Sequence, residues 1–222
     1  MELPHDVDDR AWRPRPAAHA SDRQCRQLLA ELLATIRPAD DAAAIAARLI
    51  EAFSSLAGVL AASPARLQRV TADTSCTALL LRIRAASLHS LREQALNGPV
   101  LSDTQAVRHY LFAAMAHEIP EGLRAFYLDS QNHLLFEELI GRGGIAEITV
   151  SVRELVRVAL DHGATALMLV HNHPSGNPAP SRADTDITRK LFEACRLFDI
   201  ALHDHLIVAR SGFYSFRAEG LL

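Results

Sequence analysis

Lysine is nearly absent from this chain. Lys190 is its only one, and nearly all the remaining positive charge is arginine. Formal net charge is -3, which excludes a polyanion binder held by bulk charge. Cysteine is scarce too: Cys25, Cys76 and Cys195 lie far apart, with no CxxC pair. That excludes a disulfide framework and fits a reducing cytoplasm. No stretch approaches the roughly 18 apolar residues of a membrane span, so no membrane partner is expected. The opening "MELPHDVDDRAWRPRP" is polar and acidic, without the apolar segment of a signal peptide. Cytoplasmic residence is the expectation. A Walker A loop and a GxGxxG fingerprint are missing, as is the PCxxC segment of a zinc deaminase. "HEIPE" at 117 to 121 lacks the second histidine of an HExxH helix.

What is present suits a folded protein of one or two domains: 222 residues, 49% hydrophobic and 22% charged. Residues 1 to 20 carry prolines and charges without periodicity and read as a loose arm. From 21 to 98 the pattern is helical. Leu28, Leu29, Leu32, Leu33 and Ile36 share one face at spacings of three and four, until Pro38 stops that helix. Ile45, Leu49, Ile50 and Phe53 repeat the logic. Ser63-Pro64 starts a third helix, and a fourth runs from about Ser75 to Ala95. "LNGPVLS" has turn chemistry and reads as a linker.

From 99 to 222 strands alternate with helices. After a helix capped at Ser102 come "LRAFYLD" and "HLLFEEL", close enough to form a hairpin about Ser130, Gln131 and Asn132. "IAEITV" is a further strand, and "SVRELVRVALDHG" is a helix closed by Gly163. "ATALMLV" is an unbroken apolar run of the kind buried on both faces. A helix from Ser181 to about Phe198 and two last strands complete the chain. This is a mixed α/β domain preceded by a small all-α one.

The chemistry concentrates in "HNHPSGNPAPSRADTDIT". His171 and His173 are i and i+2 on extended chain, so both side chains point to one side. The loop after them can bring the first turn of the next helix, and Asp184 with it, to the same point. Two imidazoles and one carboxylate leave a fourth tetrahedral position open, as in a catalytic rather than a structural zinc site. The bland alternative is that Ser181-x-x-Asp184 is a helix capping box and the histidines are solvated.

The spacing His-x-His, seven residues, Ser, two residues, Asp resembles the JAMM signature of the JAB/MPN metalloprotease superfamily. More narrowly, the chain from roughly Gly98 to Leu222 resembles the bacterial RadC-like family, long labelled as DNA-repair proteins. "FYLDSQNHLLFEELIGRGG" and "LHDHLIVARSGFYSF" belong to that likeness. The resemblance implies a mixed sheet with flanking helices, similar to the cytidine-deaminase-like architecture. It implies zinc (Zn2+) on His171, His173 and Asp184, and an oxyanion assisted by Ser181. It also implies an upstream glutamate as general acid/base, carried onto Glu138 with Glu137 as the alternative. The two are adjacent on a strand, so only one can face the metal. The activity implied is hydrolysis of a peptide or isopeptide bond in a protein or peptide substrate.

The chain departs from the family at Ser151-Val152, where a His-Pro pair is usual, and at "GRGG", where Gly-Thr is common. Neither change removes a presumed ligand. His203 and His205 share one face of a strand and read as supporting or structural residues. The N-terminal half resembles the approach to a helix-hairpin-helix element, but its turn, "TADTSCTA", has no glycine to bring backbone close to phosphate. Residues 1 to 98 hold 12 arginines against 11 acidic residues, a balance of about +1. DNA repair or recombination, with a structural or vestigial zinc site, is the alternative function, weakly supported by this half.

Overall fold

A computed structural model describes residues 19–101, 104–143 and 150–222. Residues 1–18 of the expected arm, the Ser102 cap and most of "IAEITV" lie outside the described residues, and positions 19 and 20 are already helical. The described residues divide into two compact units, one built on 19–95 and 104–118 and the other on 96–101, 119–143 and 150–222.

The helical unit contains α1 (His19–Ala34), α2 (Ala39–Phe53), α3 (Leu56–Ala61), α4 (Pro64–Thr71), α5 (Thr74–Leu96) and α6 (Thr104–Met115). Its core gathers Leu29, Leu33, Ile45, Leu49, Val59, Leu67 and Leu80. The amphipathic reading of the first helix needs two corrections. Leu28 is exposed, and Ile36 is exposed and lies beyond the helix, which ends at Ala34 before Pro38. The second helix also stops early. Ser54 turns left-handed at φ 65°, and Ser55 then caps the short α3 by accepting from the Gly58 N–H. The sequence pattern did not separate that piece. Ser63 and Pro64 begin α4 as expected, with the Ser63 side chain accepting from Arg66.

The glycine-free turn between α4 and α5 shows how this chain replaces glycine. Ala72 adopts the left-handed conformation at φ 54°, and its N–H bonds to the Gln68 carbonyl. The next backbone donors are spent within the turn: Asp73 N–H on Thr71 Oγ1, Cys76 N–H on Asp73 Oδ1 and Thr77 N–H on the Asp73 carbonyl. Arg37 pairs with Asp73, and Arg48 donates to the carbonyls of Val70 and Thr71 at the end of α4. No described helix is long and apolar enough to cross a membrane.

The second unit is a mixed five-stranded sheet among the described residues, in the order β2-β1-β3-β4-β5. The strands are β1 (Gly122–Leu128), β2 (Leu134–Arg142), β3 (Ala166–Asn172), β4 (Ala201–Ala209) and β5 (Gly212–Ser215). β1 and β2 form the expected hairpin, with Asn132 left-handed at its turn. The β3 to β4 pairing is parallel and requires a crossover, which α8 (Arg182–Arg196) supplies. α7 (Val152–Asp161) precedes β3. At the departure Ser151-Val152, Ser151 caps α7 by accepting from Glu154 N–H, so the helix start survives without His-Pro.

Alternation decides what each face of the sheet carries. Ala125, Tyr127, Leu167, Leu169 and Leu202 pack with Leu155 and Ala159 of α7 and with Leu191 and Cys195 of α8. Phe126, Leu128, Met168, Val170, Leu206 and Val208 point the other way and are buried as well. β3 is buried along its whole length, as its unbroken apolar run requires. Cys76 and Cys195 are buried and form no disulfide, and burial pushes the Cys195 thiol up to about 11.

Candidate metal centre

β3 runs two residues further than its apolar composition indicates. His171 is therefore a strand residue, paired with Leu123 of β1 and Ile207 of β4, rather than the first residue of a loop. It shares the face of Leu167 and Leu169 and is fully buried. His173 continues the same alternation one step beyond the strand, held by its N–H on the Val208 carbonyl. The loop that follows turns at Gly176, whose N–H bonds back to the His173 carbonyl. Gly176 has φ 87°, and a Cβ there would stand 3.1 Å from the Arg210 guanidinium. That guanidinium donates to the carbonyls of Pro174 and Ser175, so glycine is what allows it to brace the loop. The chain then enters α8.

The start of α8 is a true capping box. Ser181 Oγ accepts from Asp184 N–H at 3.2 Å, and Asp184 Oδ2 accepts from Ser181 N–H at 2.6 Å. The two readings of Ser-x-x-Asp are therefore compatible in one residue. Capping uses Oδ2 and aims Oδ1 at the histidines, 3.3 Å from His171 Nε2. His173 Nε2 lies 3.5 Å from Oδ2. The two Nε2 atoms are 2.9 Å apart. Asp184 is fully buried, and its Oδ1 has no hydrogen-bond partner.

A second carboxylate beside this pair, further off than Asp184, is that of Glu121, which the sequence pattern did not single out. Its Oε1 lies 3.9 Å from His171 Nε2, and Glu121, His171 and His173 each place a ligand atom within 4.8 Å of the others. Glu121 stands at the entrance to β1, the neighbour of β3. The neighbouring Gly122 N–H is held by Asn172 Oδ1 at 2.8 Å, and the Glu121 carbonyl accepts from Gly143 N–H. The signal that pointed to it was its place immediately before the strand that pairs with His171, visible only once that pairing is known.

Glu138 is elsewhere. It pairs with Ala125, which pairs with Leu169, so it lies two strands from β3 and two residues back from the level of His171. There it accepts from Tyr127 Oη at 2.9 Å. With burial, that bond raises the Tyr127 hydroxyl far above its ordinary pKa. Glu137, on the other face, pairs with Arg124 at 2.6 Å. The resemblance carried the acid/base onto Glu138 or Glu137, whereas strand order sets Glu121, at the start of β1, beside His171.

The electrostatics follow from burial and crowding. Burial and the neighbouring His205 hold the His171 imidazole well below its ordinary pKa, so it is neutral. His173 is raised, chiefly by the Asp184 carboxylate beside it. Burial pushes the Asp184 carboxyl up, but His173, His171 and the Ser181 bonds outweigh it and hold it far below the usual carboxylate range. Behind His171, His205 Nε2 sits 2.8 Å from Nδ1, and its ring stacks on Phe216. His203 faces away to Asn132 Oδ1, so only one member of that pair supports the site. Asp204 ties β4 to β5 through Ser215 Oγ and Arg217 N–H.

This donor set fits a small divalent cation. His173 Nδ1–H donates to the Asn177 carbonyl, so in the neutral ring Nε2 carries a lone pair. Two imidazole nitrogens facing each other at 2.9 Å, beside an unpartnered buried carboxylate oxygen, call for a shared proton or a cation among them. Two imidazole nitrogens and a carboxylate, with the Glu121 carboxylate alongside, are a donor set that could hold a divalent metal ion.

Residues 101–221 match the RadC-like JAB domain. The chain is 42% identical over 197 residues to a UPF0758 protein of Rhodobacter capsulatus, covering 88% of this chain and 92% of that protein. It is 39% identical over 197 residues to a UPF0758 protein of Ruegeria pomeroyi, covering 88% of each. A five-stranded mixed sheet, a His-x-His pair at the end of its central strand and a capping aspartate beside it thus accompany the sequence match, and the chain belongs to the RadC-like JAB domain family.

Proposed function

We propose that this chain is a zinc-dependent hydrolase of the JAMM type that cleaves an amide bond in a peptide or isopeptide substrate. The observation that carries the reading is the convergence of His171 Nε2, His173 Nε2 and the unpartnered Asp184 Oδ1, with Glu121 alongside. His171, His173 and Asp184 would hold the ion. Zinc in such a site supplies Lewis acidity and lowers the pKa of water toward neutrality. Glu121 replaces Glu138 as the acid/base. Its carboxylate takes a proton from the attacking water and returns it to the leaving amine. Ser181 Oγ already accepts from the Asp184 N–H, which leaves its own hydrogen available to a developing oxyanion. Burial of His171 and Asp184 keeps both ligands dry and fixed, so little reorganisation accompanies the reaction.

The test has two stages. Elemental analysis of the purified protein is expected to give about one zinc per chain. Peptide and isopeptide substrates are then compared between the wild type and Glu121→Gln. The variant should keep its zinc and lose about 10²–10⁴-fold in rate. Full activity in Glu121→Gln, or a wild type that takes up no zinc, would remove the mechanism.

A further inference from the structure

Behind His171 runs a chain of hydrogen bonds whose direction is fixed from one end. Thr188 Oγ1 lies 2.6 Å from the Asp184 backbone carbonyl and 2.6 Å from His205 Nδ1. His205 Nε2 lies 2.8 Å from His171 Nδ1. Thr188, His205 and His171 are all buried, the last two completely, so water does not offer alternative partners. A carbonyl only accepts, so the single Thr188 hydroxyl hydrogen goes to Asp184. The hydroxyl oxygen must then accept from His205 Nδ1–H. A neutral His205 with its hydrogen on Nδ1 has only a lone pair on Nε2, which accepts from His171 Nδ1–H. His171 is left with its lone pair on Nε2, the atom that faces His173 and Asp184.

We infer that Thr188 and His205 are positioning residues that lock His171 in the Nδ1–H tautomer, so that Nε2 is presented ready to bind a cation. The assignment rests on the metal-site reading for its purpose, but not for its geometry. It also explains a polar threonine and histidine inside an apolar core. Thr188 lies one turn of α8 after Asp184, so one helix supplies both the carboxylate and the anchor of the relay. His205 is carried by β4 and held flat by Phe216, which fixes the plane of the ring as well as its tautomer. Removing the anchor frees His205 to place its hydrogen on Nε2. That hydrogen would turn His171 Nδ1 into an acceptor and put a proton on the ligand atom.

The experiment is long-range 1H–15N NMR of histidine-labelled, metal-free protein, followed by zinc titration against a chromophoric chelator. In the wild type, His171 is expected to show a protonated Nδ1 and a lone pair on Nε2, and His205 the same. Thr188→Val, close in volume but without the hydroxyl, should shift His205 and His171 away from these tautomers. Its zinc affinity should fall about 10–100-fold, the usual effect of losing a partner of a ligand. Thr188→Ser should restore both readouts. His205→Gln, whose side-chain oxygen can accept from His171 Nδ1–H, should bind zinc better than His205→Leu. A wild-type His171 protonated on Nε2 would overturn the inference. So would unchanged tautomers and zinc affinity in Thr188→Val. If the expected tautomers are found in a wild type that binds no zinc, the relay stands and the metal reading fails. Should Thr188→Val not fold, the wild-type spectrum and the His205 pair still decide.

Discussion

Asp184 caps α8 and, in the proposed site, also holds the ion, and a pair of variants separates the two roles. Oδ2 caps α8 through Ser181 N–H, while Oδ1 faces His171 Nε2 without a hydrogen bond. Asp184→Asn keeps an acceptor for the cap. It also replaces the unpartnered oxygen, or the charge it carries, with an amide that can donate to an imidazole lone pair. The stability of the metal-free protein should therefore change by no more than about 1 kcal/mol, the net worth of one hydrogen bond. Zinc binding should suffer far more, because one of the three proposed ligands and the only buried negative charge among them is gone. A loss above about 100-fold is expected, beyond what a supporting hydrogen bond accounts for, equivalent to about 2.8 kcal/mol. Ser181→Ala does the reverse. It removes the oxygen that accepts Asp184 N–H, costing roughly 1 kcal/mol of stability, and leaves all three ligands in place. Urea denaturation without metal and chelator competition for zinc together read both effects. An Asp184→Asn protein that binds zinc like the wild type would refute the assignment, leaving Asp184 as a helix cap only.

Zinc affinity should fall as the pH drops through the raised pKa of His173, because a proton on Nε2 competes with the metal. The loss should approach about tenfold per pH unit below that point, measurable by chelator competition between pH 6 and 8. His205, buried and neutral in the fold down to about 4, takes its proton near 6.5 when unfolded. Its contribution to metal-free stability is whole above 6.5 and is lost as the pH falls toward 4, by about 3 kcal/mol. Denaturation curves at neutral and acid pH that differ by much less would contradict this. Ala72→Gly should stabilise the helical unit by about 0.5–1 kcal/mol, since glycine adopts φ 54° without a Cβ clash but loses more chain entropy. Thermal unfolding measures it, and a destabilised variant would show that the Ala72 methyl packs usefully.

Local patterns were legible in the sequence because their physics is local. A strand repeats every two residues, so His171 and His173 on one side followed from their spacing alone. A helix start recurs at i and i+3, so Ser181 and Asp184 could be read as a cap, which they are. Gly163, Ser63-Pro64 and the hairpin about Asn132 were readable for the same reason, since each depends on the dihedral preferences of one or two residues. The same locality caused the errors in α1, where a periodic pattern continued past Ala34 although the helix did not.

What the sequence could not determine was which distant residues meet. Glu121, Glu137 and Glu138 are equivalent as residue types, and only the order β2-β1-β3-β4-β5 decides among them. It places the start of β1 against His171 and leaves Glu138 to Tyr127. The Thr188 and His205 relay is likewise a product of packing α8 and β4 behind β3. The sequence by itself determined the residue types of the candidate site and two of its local geometries. The tertiary structure alone decided which glutamate lies beside the histidines, because side chains far apart along the chain are brought together by strand pairing and helix packing, and no local periodicity encodes those contacts.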